Sequence, residues 1–452
     1  MTAHSQRAWL PDLIYTGGKF ESGRALVADQ AGAIARISRD PEDLKIAERL
    51  SGRAMLPGLV NVHSHTFQRV IRGRTEYSTL LQTGAERDTF WTWRESMYHA
   101  AQAMTPERLY LVARMTFLEM ALSGITTVGE FHYVDQDLNV ARAMLRAADE
   151  VGLGITLLRT AYVRAGWKKD PNPGQARFLT PDAGQFLADT DALSAEGANV
   201  GVAPHSVRAV PIDYIRAVAE YAKARDLPVH MHVSEQPAEV EACLGEYGRR
   251  PVELLHDYGI LSERFTAVHA IHITEQEAAM LGESTVCACP TSERNLGDGA
   301  VPADPLFAAG ARICFGSDSN VQIDLLEDAR ELEYHLRMNR LERAVLAPDL
   351  SREGLARRLF AGATEAGAKS LMSCGGTLEA GRSADFFTVD LNDCSVAGAS
   401  PESLLSHIVF SLERAAVREV CIGGRMAIRD GTHPLQEDIV REFGAVQRGL
   451  WR

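Results

Sequence analysis

Two histidines one residue apart, His63 and His65, end the apolar run in "LPGLVNVHSHTFQR", residues 56–69. Side chains at i and i+2 of a strand project to the same side, so both imidazoles would converge on one point. Convergent neutral imidazoles suit a transition metal. An isolated H-x-H can equally be two polar residues opening a loop. Polar residues recur where other apolar runs end: Glu130, His132 and Tyr133; His205 and Arg208; His230, His232 and Glu235; His269 and His272; and Asp318 after "ICFG". Histidines at several strand ends, closed by an aspartate, favour a metal site drawn from separate strands.

The elements that must position these residues show in the pattern between about residues 57 and 375. Strand-like runs there are "AMLPGLVNVH", "TTVGEFHYV", "GITLLRTAYV", "NVGVAPHSV", "PVHMHVS", "FTAVHAIHI", "STVCACP" and "ARICFGSDS". They alternate with helical patterns, clearest over 106–123, 138–151, 212–225 and 252–258. Such alternation predicts parallel β/α units. Eight strands make a (β/α)8 TIM-type barrel the economical architecture, with active-site residues at the C-terminal strand ends. Residues 1–56 and 376–452 are instead β-rich with glycine turns. They predict the two halves of a small discontinuous β-sandwich, the second half carrying a tail.

Bulk properties narrow the partners. A net charge of −13 argues against nucleic acid, which needs a basic surface. It also means that a small anionic substrate requires local arginines. The amino-terminal stretch lacks the basic-then-apolar pattern of a signal peptide. No apolar run reaches the roughly 18 residues of a membrane span; "LYLVARMTFLEMALSG" is broken by Arg114 and Glu119. Seven irregularly spaced cysteines point to reduced thiols and the cytoplasm. Cys287 and Cys289, alternate thiols on an apolar strand, read as packing residues. No G-x-x-x-x-G-K-[ST], H-E-x-x-H or G-x-S-x-G occurs, which lowers nucleotide-hydrolase, zincin and serine-hydrolase readings.

H-x-H after the first barrel strand, a distant His followed three residues on by Glu, a further His and a late Ser-Asp together resemble the amidohydrolase superfamily, in its mononuclear deaminase branch. The terminal phrases "GTLEAGRSADFFTVD" and "VCIGGRMAIRDG" fit that family's split β-sandwich, and the resemblance spans essentially the whole chain. It implies that His63, His65, His232 and Asp318 hold one divalent ion, zinc or alternatively iron(II), and that the protein is a homodimer. Dinuclear members need a mid-barrel lysine, absent from "NVGVAPHSVRAV" and "TTVGEFHYV", so a single metal is favoured. The family's H-x-x-E spacing selects His232 and Glu235 from "VHMHVSEQ", leaving His230 as a hydrogen-bonded structural residue and His272 as the head of a helix or loop. The implied mechanism is hydrolytic deamination at an sp² carbon. A metal of this kind brings a bound water to a pKa of roughly 7. Asp318 takes up the water proton, Glu235 shuttles protons to the departing nitrogen, and His269 hydrogen-bonds the water or the developing oxygen.

Within the branch, F-W-T-W-R-E at 90–95, E-F-H-Y at 130–133, A-P-H-S-x-R at 203–208 and N-L-G-D-G at 295–299 resemble the formimidoylglutamate deiminases. These convert N-formimidoyl-L-glutamate to N-formyl-L-glutamate and ammonia in histidine breakdown. The resemblance implies Arg94 and Arg208 as carboxylate anchors, suited by their planar forks. Gln68, Tyr133, His205 and His269 then serve as hydrogen-bonding partners of the substrate. The competing assignments are surface salt bridges for the arginines and rim packing for the Trp-rich helix. Asp135 and Asp137 should face solvent, because inward they would oppose an anion. Two rival functions remain open: a deaminase of the same branch acting on a purine, pyrimidine or adenosine-type ring, and a catalytically dead scaffold. The second is disfavoured because every ligand position is filled.

Overall fold

The apolar runs of the middle segment are buried along most of their length, as strands covered on both faces require. The computed structural model describes residues 6–78, 80, 86–171 and 173–451; the first five residues of the stretch read above for a signal peptide lie outside them. Eight strands form one sheet in strict chain order: β1 (Leu59–Ser64), β2 (Ile125–His132), β3 (Gly154–Ala161), β4 (Val200–Pro204), β5 (Val229–Val233), β6 (Phe265–His269), β7 (Thr285–Ala288) and β8 (Arg312–Phe315). All neighbours are parallel. Helices lie between successive strands, among them Pro106–Leu122, Leu138–Val151, Ala183–Ala195, Ile212–Arg225 and Pro251–Asp257. The expected (β/α)8 barrel is therefore present.

β1 and β8 meet to close it. The Asp318 N–H donates to the His63 carbonyl and the His65 N–H to the Asp318 carbonyl, each at 2.9 Å. Just below, Asn61 and Ser317 exchange hydrogen bonds: Asn61 Nδ2 to Ser317 Oγ at 2.7 Å, and the Ser317 N–H to Asn61 Oδ1 at 3.0 Å. Gly316 permits this approach. A Cβ there would sit 2.7 Å from His63 Cβ and 2.9 Å from the His63 carbonyl oxygen.

The two β-rich ends pair with each other in a second, mixed sheet of eight strands. Its join is Phe386–Asp390, running antiparallel to Arg53–Pro57, and Trp9 packs edge-on against Phe386 with ring centroids 5.2 Å apart. The sequence run "AMLPGLVNVH" is not one strand. Glu48–Pro57 belongs to the mixed sheet, and the chain enters the barrel only after Gly58, where any side chain would collide with Thr126. The carboxy-terminal tail is a helix, Gln436–Leu450, that packs on Pro106–Leu122 and donates from Gln447 Nε2 to the Val70 carbonyl. Among the described residues, no helix is long and apolar enough to cross a membrane.

Closure through Gly316 yields a prediction. Gly316→Ala should destabilise the fold by about 1–3 kcal/mol, the usual penalty of overpacking. It should also lower the metal content of the purified protein, because the strand it displaces carries His63. A lower thermal midpoint with unchanged metal content would separate closure from the site.

Candidate active site

Several strand ends contribute side chains to the mouth of the barrel. His63 is the penultimate residue of β1 and His65 follows that strand; His232 lies on β5, His269 ends β6, and Asp318 follows β8. His269 and Asp318 have left-handed backbones, φ +71° and +45°. Such conformations are uncommon outside glycine and gather at functional sites.

His63, His65, His232 and Asp318 each present one donor atom, all within 4.8 Å of one another and all buried. The Nε2 atoms lie 3.1 Å (His63–His65), 3.2 Å (His63–His232) and 3.4 Å (His65–His232) apart. Asp318 Oδ1 is 3.3 Å from His63 Nε2 and 3.4 Å from His65 Nε2. Five of the six donor–donor separations are thus 3.1–3.4 Å, and the sixth, His232 to Asp318, stays within 4.8 Å, so a cation at roughly the Zn–N distance of 2.0–2.1 Å can be shared among them. Two of the imidazoles have fixed tautomers. His65 Nδ1 donates to the Phe131 carbonyl and His232 Nδ1 to the His205 carbonyl, both at 3.0 Å. Each Nε2 therefore turns a lone pair inward, the arrangement that second-shell partners impose on metal ligands. Burial pushes the His63 imidazole down to about 3 and lowers His65 and His232 as well. Burial raises the Asp318 carboxyl, but the His63 hydrogen bond and the neighbouring imidazoles outweigh it and hold it well below the usual range. Lone-pair donors packed this closely repel unless a cation sits between them, so the donor set fits a divalent metal.

A cavity opens above these donors. His65, Gln68, Arg94, Tyr133, His205, Arg208, His232, Glu235 and Asp318 line it. His63 and His269 stand behind the wall, with His269 Nε2 at 3.8 Å from Glu235 Oε1. Burial raises the Glu235 carboxyl, opposed by the charges of His269 and Arg208, which suits a group that must carry a proton. Gln68 Nε2 donates to the Tyr133 hydroxyl at 3.2 Å. Arg94 projects from the helix Phe90–Gln102, capped by Thr89, and Arg208 from the segment after β4. In both, Nε and Nη1 are buried with no hydrogen-bond partner among the described residues. The Trp91 ring faces both guanidinium carbons, 4.4 Å from Arg94 and 5.6 Å from Arg208.

His230 hydrogen-bonds the Ser370 carbonyl at 3.2 Å, and His272 the Asp298 carbonyl at 2.9 Å, in the loop before the helix Glu275–Met280. Cys287 and Cys289 are fully buried. Asp135 is drawn to Arg177 at 2.5 Å, and Asp137 caps the helix Leu138–Val151 through the Asn139 N–H at 2.8 Å, so neither opposes an anion. Several cavity residues were not singled out from sequence. Tyr162 follows β3 directly and was open to the strand-end rule, and Tyr98 lies one helical turn beyond Arg94. Gln175 donates to both tyrosine hydroxyls, at 3.0 Å to Tyr98 and 2.7 Å to Tyr162, and nothing in its own segment marked it. Trp93, expected as rim packing, also lines the cavity.

The barrel, its closing seam and this donor set coincide with a match of the amidohydrolase family model to residues 54–427. The chain belongs to the amidohydrolase family. It is 37% identical to the formimidoylglutamate deiminase of Pseudomonas aeruginosa, over 97% of each chain. It is 28% identical to the 8-oxoguanine deaminase of the same organism, over 94% of each. A crystal structure of an amidohydrolase from Brucella melitensis, 32% identical, superposes with a TM-score of 0.88 over 99% of this chain and 100% of that one.

The donor set makes a direct prediction. His232→Ala and Asp318→Asn should each purify with far less than one equivalent of divalent metal after reloading, whereas Glu235→Gln should retain the parent's content. Elemental analysis decides; full occupancy in the first two variants would refute the assignment.

Proposed function

We propose that this amidohydrolase is a formimidoylglutamate deiminase, hydrolysing N-formimidoyl-L-glutamate to N-formyl-L-glutamate and ammonia as a step of histidine degradation. The observation that carries the proposal is the pair of guanidiniums, Arg94 and Arg208, whose Nε and Nη1 have no hydrogen-bond partner among the described residues and which face the cavity above the metal donors. A buried cation without an acceptor is costly, and two in one cavity repel each other. A substrate with two carboxylates relieves both penalties and leaves its formimidoyl end over the donors. The formimidoylglutamate deiminase of P. aeruginosa, 37% identical, supports this reading.

The four donors would hold a single zinc ion, which when bound supplies a water acidic enough to attack at neutral pH. The Asp318 carboxylate would take up the proton of the attacking water. Glu235 carries a proton to the amidine nitrogen, which leaves as ammonia only once protonated. His269, behind Glu235, holds its Nε2 toward the same reacting groups. Gln68, Tyr133 and His205 offer hydrogen bonds around the substrate, and the aromatic walls exclude bulk water.

The alternative of a ring deaminase draws on relatives such as the 8-oxoguanine deaminase. A panel assay of ammonia release tests the choice. We expect turnover of N-formimidoyl-L-glutamate and none of 8-oxoguanine, guanine or 5-methylthioadenosine; the reverse pattern overturns the proposal. Arg208→Met should raise KM by the equivalent of about 2–5 kcal/mol for a desolvated charge partner, with a smaller effect on kcat. Glu235→Gln should lower kcat by about 10²- to 10⁴-fold.

A further inference from the structure

We infer that Glu293 is a positioning residue for His269, its carboxylate holding the imidazole in the Nδ1–H form so that Nε2 faces the reacting groups. The functional consequence rests on the deiminase reading above; the geometry does not. Glu293 is fully buried on the short helix Pro290–Leu296, which begins 21 residues beyond His269. Its Oε1 lies 3.2 Å from His269 Nδ1 and accepts the Cys289 N–H at 2.8 Å. A carboxylate only accepts, so the hydrogen of this contact belongs to Nδ1 whether His269 is neutral or charged. The opposite nitrogen, Nε2, is buried without a hydrogen-bond partner among the described residues and faces Glu235.

Two simpler accounts fall short. Glu293, at the fourth helical position, reaches back to the N-cap N–H of Cys289, much as the glutamate of a capping box does from the third. A cap requires no imidazole, yet the same oxygen takes a second bond from a histidine on another element. The backbone delivering that histidine is left-handed at two consecutive non-glycine positions, His269 and Ala270, φ +71° and +51°. Such strain is held only where the surroundings over-determine it. A second cation shared by His269, Cys289 and Glu293, whose donor atoms lie within 4.8 Å, is unnecessary, since hydrogen bonding already accounts for the contact.

The role follows from tautomer chemistry. A neutral imidazole has one lone pair, and without Glu293 it divides between the two nitrogens. Only the Nδ1–H form can accept at Nε2, and the charged form then donates from that same atom. Misplacing this proton is the way a carboxylate–histidine pair loses catalysis while the fold stays intact.

The test uses the metal-loaded protein. Two-bond ¹⁵N–¹H spectra of ¹⁵N-histidine-labelled parent should show His269 protonated at Nδ1; a parent protonated only at Nε2 overturns the inference without any variant. In Glu293→Leu we expect redistribution between tautomers, a kcat lower by about 100-fold and KM within about threefold. Glu293→Gln, whose amide oxygen still accepts, should recover most of both signatures. A Leu variant that only loses thermal stability, with parental kcat and spectra, would make Glu293 a helix cap and sink the inference. Should the parent fail to turn over N-formimidoyl-L-glutamate, the deiminase reading falls while the spectra still judge Glu293.

Discussion

The backbone contact between the first and last barrel strands is the constraint on which the site depends. Asp318 and the His63–His65 segment exchange main-chain hydrogen bonds of 2.9 Å, so the bonds that close the barrel also set the spacing of three of the four metal donors. Side-chain placement is thereby tied to the register of a sheet, which cannot slip by one residue without turning every side chain to the other face. The fourth donor, His232, comes from β5 and is oriented by the His205 carbonyl of the neighbouring segment. A site of this type needs no separate scaffolding loop, because the fold cannot form without bringing its parts together.

Acids and arginines interact with one another around the centre. Glu235, Glu293 and Asp298 act on His269, while Glu239 and Glu235 act on Arg208. Burial above all, with repulsion from Glu235, raises Glu239 to about 7 and Asp298 to about 9. Both arginines sit against Trp91, and Arg94 also against Tyr98, with no acid hydrogen-bonded to them among the described residues. Cation–π contact of the kind Trp91 provides is worth about 0.5–2 kcal/mol, too little to replace a counter-ion but enough to keep the guanidiniums extended toward the cavity. The acidity of the whole chain is thus no obstacle to anion binding, since nearby acids such as Asp135 are engaged by Arg177.

The sequence disclosed most of this architecture through one regularity, polar residues at the ends of apolar runs. That rule works because a barrel strand buried on both faces can afford polarity only where it emerges. It located His63, His65, His232, His269 and Asp318, and it would have located Tyr162. It could not reveal Glu293 or Gln175. Their partners are distant in the chain, and a buried Glu inside a short helix has the same local pattern as a solvent-facing cap. The strand break at Gly58 was hidden for a related reason: Ala54–Pro57 and Leu59–Ser64 are equally apolar, and only the collision with Thr126 shows that they serve different sheets.

Under the proposed function, discrimination among substrates arises as much from what the cavity leaves unpaired as from what it grips. A neutral planar ring entering it would shut two guanidiniums away from water without supplying an acceptor. Each uncompensated charge would then cost several kcal/mol, more than stacking on the aromatic walls returns. A dicarboxylate meets the same groups as ready-made partners. The penalty against the wrong ligand is therefore built from the same two residues as the attraction for the right one. In this chain the strand ends carry the metal donors, while the helix Phe90–Gln102 and the segment after β4 carry the two guanidiniums on which, under that proposal, the choice of substrate would turn.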